Sequence, residues 1–265
     1  MLQYAVTLGM TGPIRLEVQD RVAWITIDRP EKLNALDKET IGELKDAIGE
    51  AKDADARVVV FTGGGDDAFV AGADIAYMKD FTTAEAHEYA MLGHDLIDAV
   101  ESYPGATIAA INGYAFGGGA ELALACDLRV ASERALIGQT EIDLGIIPGW
   151  GGTQRLPALV GDEMARRLIF FGERVDASDA HEIGLVGEVI AHDDLEDHVS
   201  DMAQQLADKP AAALAGAKEA INKFHEMPRS AGLDFEARTW AGLFGSHDQR
   251  EGMEAFLEDR EPEFE

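Results

Sequence analysis

The sequence has very few cysteines and few cations. Cys126 is the only cysteine among 265 residues, which excludes a disulfide within the chain. It lies in an apolar stretch of helical character, which predicts a buried thiol that packs as a small hydrophobic side chain. Lysine and arginine total 22 against 50 aspartates and glutamates, a net charge of −28. We therefore expect no nucleic-acid partner and no anionic membrane surface, because both would repel this protein.

Long apolar runs and targeting signals are also absent. The longest apolar stretch, from Thr107 to Cys126, is interrupted by Asn112, Glu121 and several glycines, which excludes a membrane-spanning helix. The first residues do not combine a basic start with an apolar run, so no signal peptide is predicted and we expect a cytoplasmic protein. The seven histidines are scattered without metal-ligand spacing, and no metal site is expected.

The acidic residues are spread over the predicted helices and strands instead of forming one tail. This pattern predicts that the whole surface is adapted to a very salty cytosol. At molar salt the Debye length is roughly 3 Å, so self-repulsion is largely screened. The alternative is an acidic protein from an ordinary cytosol.

Strands and helices alternate through the first part of the chain. Apolar and β-branched runs predict strands at 22–27, 57–61, 107–111, 128–131 and 135–138. Helical spacing predicts a helix capped by Asp37, a second around 89–100 and a short third at 121–126. This order predicts an α/β fold. The dinucleotide fingerprint G-x-G-x-x-G, the phosphate loop G-x-x-x-x-G-K-[ST] and the hydrolase motif G-x-S-x-G are all missing.

The sequence becomes almost continuously helical after about residue 193. Helices are predicted at 195–207, 210–224, 232–244 and 248–259. We therefore divide the chain into a mixed core at 1–200, which holds the active site, and a helical region at 201–265. A helical region without internal repeats is suited to packing on a neighbouring subunit.

Two glutamates stand beside glycine-rich turns. Glu121 follows a run of three glycines, Gly117 to Gly119, and Glu141 precedes a second glycine-rich turn at 149–152. Small residues let a ligand approach the backbone, whose N–H groups then act as donors. Two carboxylates near such donors form an acid/base pair around a developing oxyanion, which indicates an enzyme. The alternative is that the glycines only permit tight turns and that Glu121 is a solvated helix residue.

Five segments in the same order resemble the crotonase (enoyl-CoA hydratase/isomerase) superfamily. The resemblance extends over nearly the whole chain, and the segments are Asp28-Arg-Pro-Glu-Lys-Leu-Asn-Ala-Leu36, Phe69-Val-Ala-Gly-Ala-Asp-Ile75, Asn112 to Glu121, Gly138 to Leu156, and Asp248 to Leu257. The resemblance implies a spiral of repeated ββα units with a C-terminal helical region that builds homotrimers, often paired as hexamers. It also implies a coenzyme A thioester substrate, so that coenzyme A is part of the substrate and no separate cofactor is expected.

The resemblance also assigns the catalytic groups. The N–H groups of Ala73 and Gly118 are implied to hold the thioester oxygen. Hydratases of the family carry glutamates at the positions of both Glu121 and Glu141. We expect Glu121 to deprotonate water and Glu141 to deliver a proton to C2. Because the two carboxyls share one site, their titration would belong to the pair.

Contacts to coenzyme A are expected near the first two segments. Leu33 and the backbone near Ala71 are implied neighbours of the adenine. The closing helix continues with Glu258-Asp-Arg-Glu-Pro262, where the family commonly has lysines. Arg260 remains there, and Arg29 and Lys32 are the other candidates for the phosphate contacts.

The remaining expected substrate neighbours flank the donors. Asp74 and Ile75 complete the first donor segment, and Asp74 is expected to act as a turn or helix-cap residue. Gly149 belongs to the turn beside Glu141, and Trp150 either walls the acyl pocket or packs against the next helix. The accepted acyl length depends on how residues 78–83 pack.

These observations predict a short-chain enoyl-CoA hydratase, which adds water reversibly to a 2-trans-enoyl-CoA. The alternatives are an enoyl-CoA isomerase or a biosynthetic 3-hydroxyacyl-CoA dehydratase on the same scaffold. A non-catalytic RNA-binding member is a third class, disfavoured by both glutamates and by the net charge of −28.

Overall fold

Two sheets with mainly parallel strands organise the protein. The computed structural model describes residues 6–8 and 12–265, so the first residues of the predicted core lie outside it. The strands are β1 (Val6–Leu8), β2 (Ile14–Gln19), β3 (Val22–Ile27), β4 (Val58–Gly63), β5 (Ala68–Val70), β6 (Ala106–Ile111), β7 (Tyr114–Phe116), β8 (Leu128–Ser132), β9 (Leu136–Gly138), β10 (Arg174–Asp176) and β11 (Glu188–Ile190). The large sheet has the order β1-β2-β3-β4-β6-β8-β11, and the small sheet has the order β10-β9-β7-β5.

Helices follow the strand pairs and then continue to the C-terminal end. They are α1 (Lys38–Asp53), α2 (Ile75–Met78), α3 (Thr83–Glu101), α4 (Gly118–Ala125), α5 (Gly152–Val160), α6 (Asp162–Phe171), α7 (Ala177–Glu182), α8 (Leu195–Ala207), α9 (Ala211–Asn222), α10 (Arg229–Gly242) and α11 (His247–Glu258). None of these helices in the described part of the chain is both long and apolar enough to cross a membrane.

Within the described residues, the ββα unit occurs three times in succession. Each unit runs from a strand of the large sheet to a strand of the small sheet and then to a helix: β4-β5-α2/α3, β6-β7-α4 and β8-β9-α5. Equivalent strands of successive units pair in parallel, with Val58 opposite Ala106 in the large sheet and Tyr114 opposite Leu136 in the small one. The chain therefore forms the predicted spiral of ββα units.

The central strands of the large sheet, β4 and β6, are buried on both faces. Along β4, Val58 and Val60 pack in the cluster with α8, whereas Val59 and Phe61 pack in the main core with α1 and α3. This alternation follows from the two-residue period of a strand. It explains why the sequence here is continuously apolar, as expected for a parallel strand covered on both sides.

The observed helices agree with those that were predicted from the sequence. Asp37 caps α1, and its Oδ1 accepts the backbone N–H of Thr40 at 3.0 Å. The four predicted C-terminal helices are present as α8 to α11. The predicted boundary near residue 200 lies within α8, whose buried Val199 and Ala203 pack on the large sheet. The next helix, α9, begins at Ala211.

Candidate active site

The start of α4 brings Glu121 into the protein interior. Strand β7 ends at Phe116, and Gly117 turns the chain with φ +48° and ψ −120° directly into the helix. Few residues other than glycine adopt that conformation. All eight residues of α4 are buried, and Glu121, one turn into the helix, is 2% exposed. The predicted short helix therefore starts three residues earlier than expected, and Glu121 is not a solvated residue.

The turn before α5 holds one oxygen of Glu121. The backbone nitrogens of Trp150 and Gly152 each lie 2.7 Å from Oε1 and donate to it. Burial raises the pKa of Glu121, against the lowering effect of these N–H groups and of the Arg155 charge. Because the backbone occupies Oε1, the carboxylate has a fixed orientation in the site.

Glu141 lies at the start of a 3₁₀ turn just after β9 and is 9% exposed. A β-carbon at Gly117 would lie 3.0 Å from its Oε1, so the carboxyl group sits against the turn that leads to Glu121. The pKa of Glu141 is raised to about 7, first by burial and also by the charge of Glu121, against its own backbone N–H. The two predicted glutamates thus share one buried site.

Gln139 is a further polar contact of Glu141 that the sequence did not assign. Its side-chain amide, with the nitrogen turned toward the carboxyl group, lies 3.0 Å from Oε1 and 3.2 Å from Oε2 of Glu141. Gln139 is 2% exposed. The sequence feature that could have identified Gln139 is its position two residues before Glu141 in the same segment.

The segment around Ala73 pairs with residues 33–36. Leu36 donates its N–H to the carbonyl oxygen of Gly72 at 2.9 Å and accepts the N–H of Asp74 at 2.7 Å. Ala73 lies between Gly72 and Asp74, the two residues that bond Leu36. In such a parallel bridge the middle residue directs its own N–H to the opposite side. The N–H of Ala73 therefore points away from Leu36.

The N–H of Gly118 is the second predicted donor, and it lies at the N-terminus of α4, where helical N–H groups have no intrahelical acceptor. Strands β5 and β7 pair in parallel, and a β-carbon at Gly72 would lie 3.2 Å from the carbonyl oxygen of Phe116. The two donor segments are therefore adjacent. Among the described residues, neither the N–H of Ala73 nor that of Gly118 has a protein acceptor.

Trp150 packs closely against the second donor segment. Its side chain is 4% exposed, and a β-carbon at Gly118 would lie 2.5 Å from its Cζ3. The ring also covers Gly93 of α3 and lies 5.6 Å, centroid to centroid, from Tyr89. The ring thus packs against α3 and the start of α4. Gly149, by contrast, is exposed.

Arg155 and Glu101 are two further residues that the sequence did not assign. Arg155 donates from Nε and Nη2 to the two carboxylate oxygens of Glu101, at 2.6 and 2.7 Å. Its Nη1 also donates to the carbonyl oxygen of Trp150 at 3.0 Å. The pair therefore fixes the turn whose N–H groups hold Glu121. Arg155 belongs to the Gly138 to Leu156 segment, but nothing local indicated its partner.

The predicted phosphate-binding cations have different surroundings. Arg29 is mostly buried and donates to the carbonyl oxygen of Ala35 at 2.6 Å, to Thr40 Oγ1 at 3.0 Å and to Asp37 Oδ2 at 2.8 Å. Lys32 is half exposed, and its Nζ lies 3.0 Å from Asp74 Oδ2. Of these two, Lys32 is the cation that faces solvent.

Arg260 and Asp74 are held by their own neighbours. Arg260 forms a two-point ion pair with Glu251, at 2.6 and 3.0 Å, and also bonds Glu258. Asp74 caps α2, and its Oδ1 accepts the N–H of Tyr77 at 3.2 Å. The hydrogen bond from Lys32 is the main cause that lowers the pKa of Asp74.

The expected adenine neighbours lie beside Lys32. Leu33 has a left-handed backbone with φ +51° and is 38% exposed, and its carbonyl oxygen accepts the N–H of Ala71 at 3.0 Å. Ile75, next to the cap, is 53% exposed. An apolar exposed edge thus borders the side of the site that carries Lys32.

Residues 17–265 match the sequence profile described as enoyl-CoA hydratase/isomerase. The chain is 41% identical to the crotonyl-CoA hydratase of Syntrophomonas wolfei over 252 residues, which cover 95% of this chain and 97% of that one. It is also 41% identical to the short-chain-enoyl-CoA hydratase of Clostridium acetobutylicum, over 94% of this chain and 95% of that one.

Solved structures of enoyl-CoA hydratases superpose on nearly the whole chain. An enoyl-CoA hydratase from Bacillus anthracis has a TM-score of 0.92 at 37% identity and covers 96% of this chain and 99% of its own. A Geobacillus kaustophilus structure has a TM-score of 0.95 at 32% identity and covers 99% of both chains.

Proposed function

The chain belongs to the enoyl-CoA hydratase/isomerase family, and from this premise we propose that it is an enoyl-CoA hydratase that adds water reversibly to a 2-trans-enoyl-CoA. The observation that carries the proposal is the pair of buried glutamates beside two adjacent backbone donors. Gly117 leads into the helix of Glu121, and a β-carbon added there would lie 3.0 Å from Oε1 of Glu141, which supports a shared site for the two carboxyl groups. The similarity to a crotonyl-CoA hydratase and to a short-chain-enoyl-CoA hydratase supports it.

The donors stabilise the charge that develops on the substrate. When water attacks C3, the electrons of the C2–C3 double bond move onto the thioester oxygen and form an enolate. The N–H groups of Ala73 and Gly118 receive this oxygen, and one such donor is typically worth about 3–4 kcal/mol in the transition state. The dipole of α4 adds positive potential at the same point.

The glutamates move the two protons. Ionised Glu121, held by the N–H groups of Trp150 and Gly152, takes a proton from the attacking water. Protonated Glu141 gives its proton to C2, and the enolate returns to the thioester. A pKa of about 7 means that Glu141 carries a proton in a large fraction of molecules at neutral pH. In dehydration the two roles exchange.

The substrate enters with its coenzyme A moiety toward the exposed edge. Lys32 contacts a phosphate, and Leu33 and Ala71 border the adenine, with Ile75 beside them. Arg29 supports this edge from inside through its ion pair with Asp37, and its predicted phosphate contact stays a prediction. The cytoplasmic location expected from the sequence stays a prediction.

We also propose that the protein assembles as a homotrimer or a dimer of trimers. Large apolar side chains are exposed in the turn after α9 and on α10 and α11: Phe224 (77%), Trp240 (64%), Phe256 (85%) and Leu257 (81%). Large exposed apolar side chains in such number are typical of an interface with another protein. Sedimentation should give three or six chains for wild type and fewer for Phe256→Ser/Leu257→Ser, with Glu254→Ser as the control on the same helix. A monomeric wild type would contradict the assembly.

The identity of the product tests the function. Wild-type protein incubated with crotonyl-CoA in D₂O should form 3-hydroxybutyryl-CoA with one deuterium at C2, as read by mass spectrometry and NMR. A parallel incubation with 3-butenoyl-CoA tests isomerisation. Migration of the double bond without addition of water would show that the protein is an isomerase and would overturn the proposal.

A further inference from the structure

Four aromatic rings form a continuous cluster beside the two backbone donors. Ring centroids lie 5.2 Å apart for Tyr77 and Phe81, 5.6 Å apart for Phe81 and Tyr89, and 5.6 Å apart for Tyr89 and Trp150. Tyr77 also lies 5.9 Å from Tyr89. The cluster joins α2, the segment after it, α3 and the turn before α5. Of residues 78–83, whose packing the sequence left open, Met78 and Phe81 pack against the core and the other four are exposed.

The cluster lies against the Gly118 donor and beside the segment that pairs with Ala73. Trp150 lies against Gly118, where an added β-carbon would meet Cζ3 at 2.5 Å. On the other side, the hydroxyl of Tyr89 donates at 2.7 Å to the carbonyl oxygen of Leu36, the residue that pairs with Ala73. A thioester oxygen held between Ala73 and Gly118 thus has this aromatic cluster beside it. An acyl chain that leaves the same carbonyl, away from the solvent-exposed edge at Lys32, meets the rings.

The inner end of the cluster is fixed, whereas its outer end is open. The backbone N–H of Trp150 is bound to Glu121 at 2.7 Å, and its carbonyl oxygen accepts Arg155 at 3.0 Å. The ring is enclosed by Gly93 and Tyr89, and Trp150 and Tyr89 are 4% and 7% exposed. Tyr77, at the outer end, is 43% exposed. The backbone of Trp150 is therefore fixed, and its ring cannot move aside for a longer chain without displacing Tyr89 or α3.

We propose that Trp150, backed by Tyr89, closes the acyl end of the site and restricts the substrate to short 2-enoyl groups. This inference rests on the proposed function, because it takes the acyl group to lie at the hydratase site. A large rigid ring at this point excludes added methylenes by occupying their volume, and one methylene in a closed pocket changes discrimination by about 10–200-fold.

The test compares chain lengths in variants of Trp150. We would measure kcat/KM for four-, six- and eight-carbon 2-trans-enoyl-CoAs in wild type, Trp150→Ala and Trp150→Leu. The ratio of eight-carbon to four-carbon kcat/KM should rise by at least about tenfold in the smaller variants. Trp24→Phe, at a partly buried tryptophan on β3 that packs with the α8 cluster, is the control and should keep the wild-type ratio. An unchanged ratio in both Trp150 variants, or a wild type that prefers the eight-carbon substrate, would overturn the proposal.

Binding of unreactive ligands separates this proposal from the hydratase function. Butyryl-CoA and octanoyl-CoA lack the double bond, so calorimetry with them needs no turnover. Wild type should bind butyryl-CoA more tightly, and Trp150→Ala should gain affinity for octanoyl-CoA. A wild type that discriminates in this way but hydrates nothing would refute the hydratase and keep the acyl-length role. Equal affinity for both ligands in wild type would refute the acyl-length role alone.

Discussion

The backbone nitrogen of Trp150 lies 2.7 Å from Oε1 of Glu121. A glutamate on α4 is thus oriented by the turn that precedes α5, and not by a side chain of its own helix. Whatever fixes that turn also fixes the glutamate. Arg155 does so, since it bonds the carbonyl oxygen of Trp150 and both carboxylate oxygens of Glu101.

Arg155→Met should therefore lower kcat while changing KM much less. Loss of hydrogen bonds to a charged group costs about 1.5–3 kcal/mol, which corresponds to a drop in rate of roughly tenfold to a hundredfold if the turn no longer holds Glu121. Arg167→Met is the matched control, because Arg167 makes a similar two-point ion pair with Glu173, at 2.7 and 2.8 Å, on the exposed surface. Steady-state kinetics of both variants would measure the effect. Equal kcat values for the two variants would exclude the positioning role.

Gly117→Ala should abolish most activity in a protein that still folds. The substitution places a side chain at φ +48° and ψ −120°, and its β-carbon would lie 3.0 Å from Oε1 of Glu141. Gly161→Ala is the control: Gly161 also has a positive φ, +81°, but an added β-carbon has no neighbour within 4 Å. Each substitution costs stability of order 1–3 kcal/mol through strain, whereas only the first displaces a carboxyl group. Normal kcat in Gly117→Ala would contradict the placement of Glu141.

The stability of the protein should depend on pH through Glu141. The carboxyl group has a folded pKa of about 7 against an ordinary value of 4.5. A raised carboxyl pKa means that the protonated group contributes stability that is fully present below pH 4.5 and is lost as the pH rises toward 7. Wild type should lose up to about 3 kcal/mol relative to Glu141→Gln over this interval. Urea unfolding of both proteins at several pH values measures it, and a constant difference would show that Glu141 is not buried as described.

Salt should raise the free energy of unfolding. The net charge of −28 makes the folded chain repel itself. Raising KCl from about 0.1 M to about 1 M shortens the Debye length from roughly 10 Å to roughly 3 Å and screens this repulsion. Thermal unfolding in a KCl series should show a midpoint that increases with salt, with equimolar sucrose as a control for effects other than ionic strength. A falling midpoint would contradict the predicted adaptation to salt.

Local signals in the sequence were sufficient for much of the fold and for the glutamates. The strand at 22–27 coincides with β3, the Asp37 cap is present, and the helical region follows as α8 to α11. Each of these is encoded within a few residues, by periodicity or by a capping side chain. Glu121 and Glu141 could be chosen because glycine turns adjoin them in the chain.

The short strands and the long-range contacts could not be predicted in the same way. Strands β5 and β7 have three residues each, too few to show a period, yet they place the two donor segments side by side. Arg155 and Glu101 are 54 residues apart, so their pairing depends on the completed fold. The packing of Trp150 on α3 likewise depends on Gly93, which no local pattern connects to it.

The most direct test of the site is the rate of crotonyl-CoA hydration by wild type, Glu121→Gln and Glu141→Gln. The amide keeps the shape of each side chain but removes its ability to exchange a proton. We predict rapid turnover by wild type and a loss of about 10²–10⁴-fold in kcat for each variant. A variant of either glutamate that hydrates crotonyl-CoA at the wild-type rate would contradict the two-carboxylate mechanism.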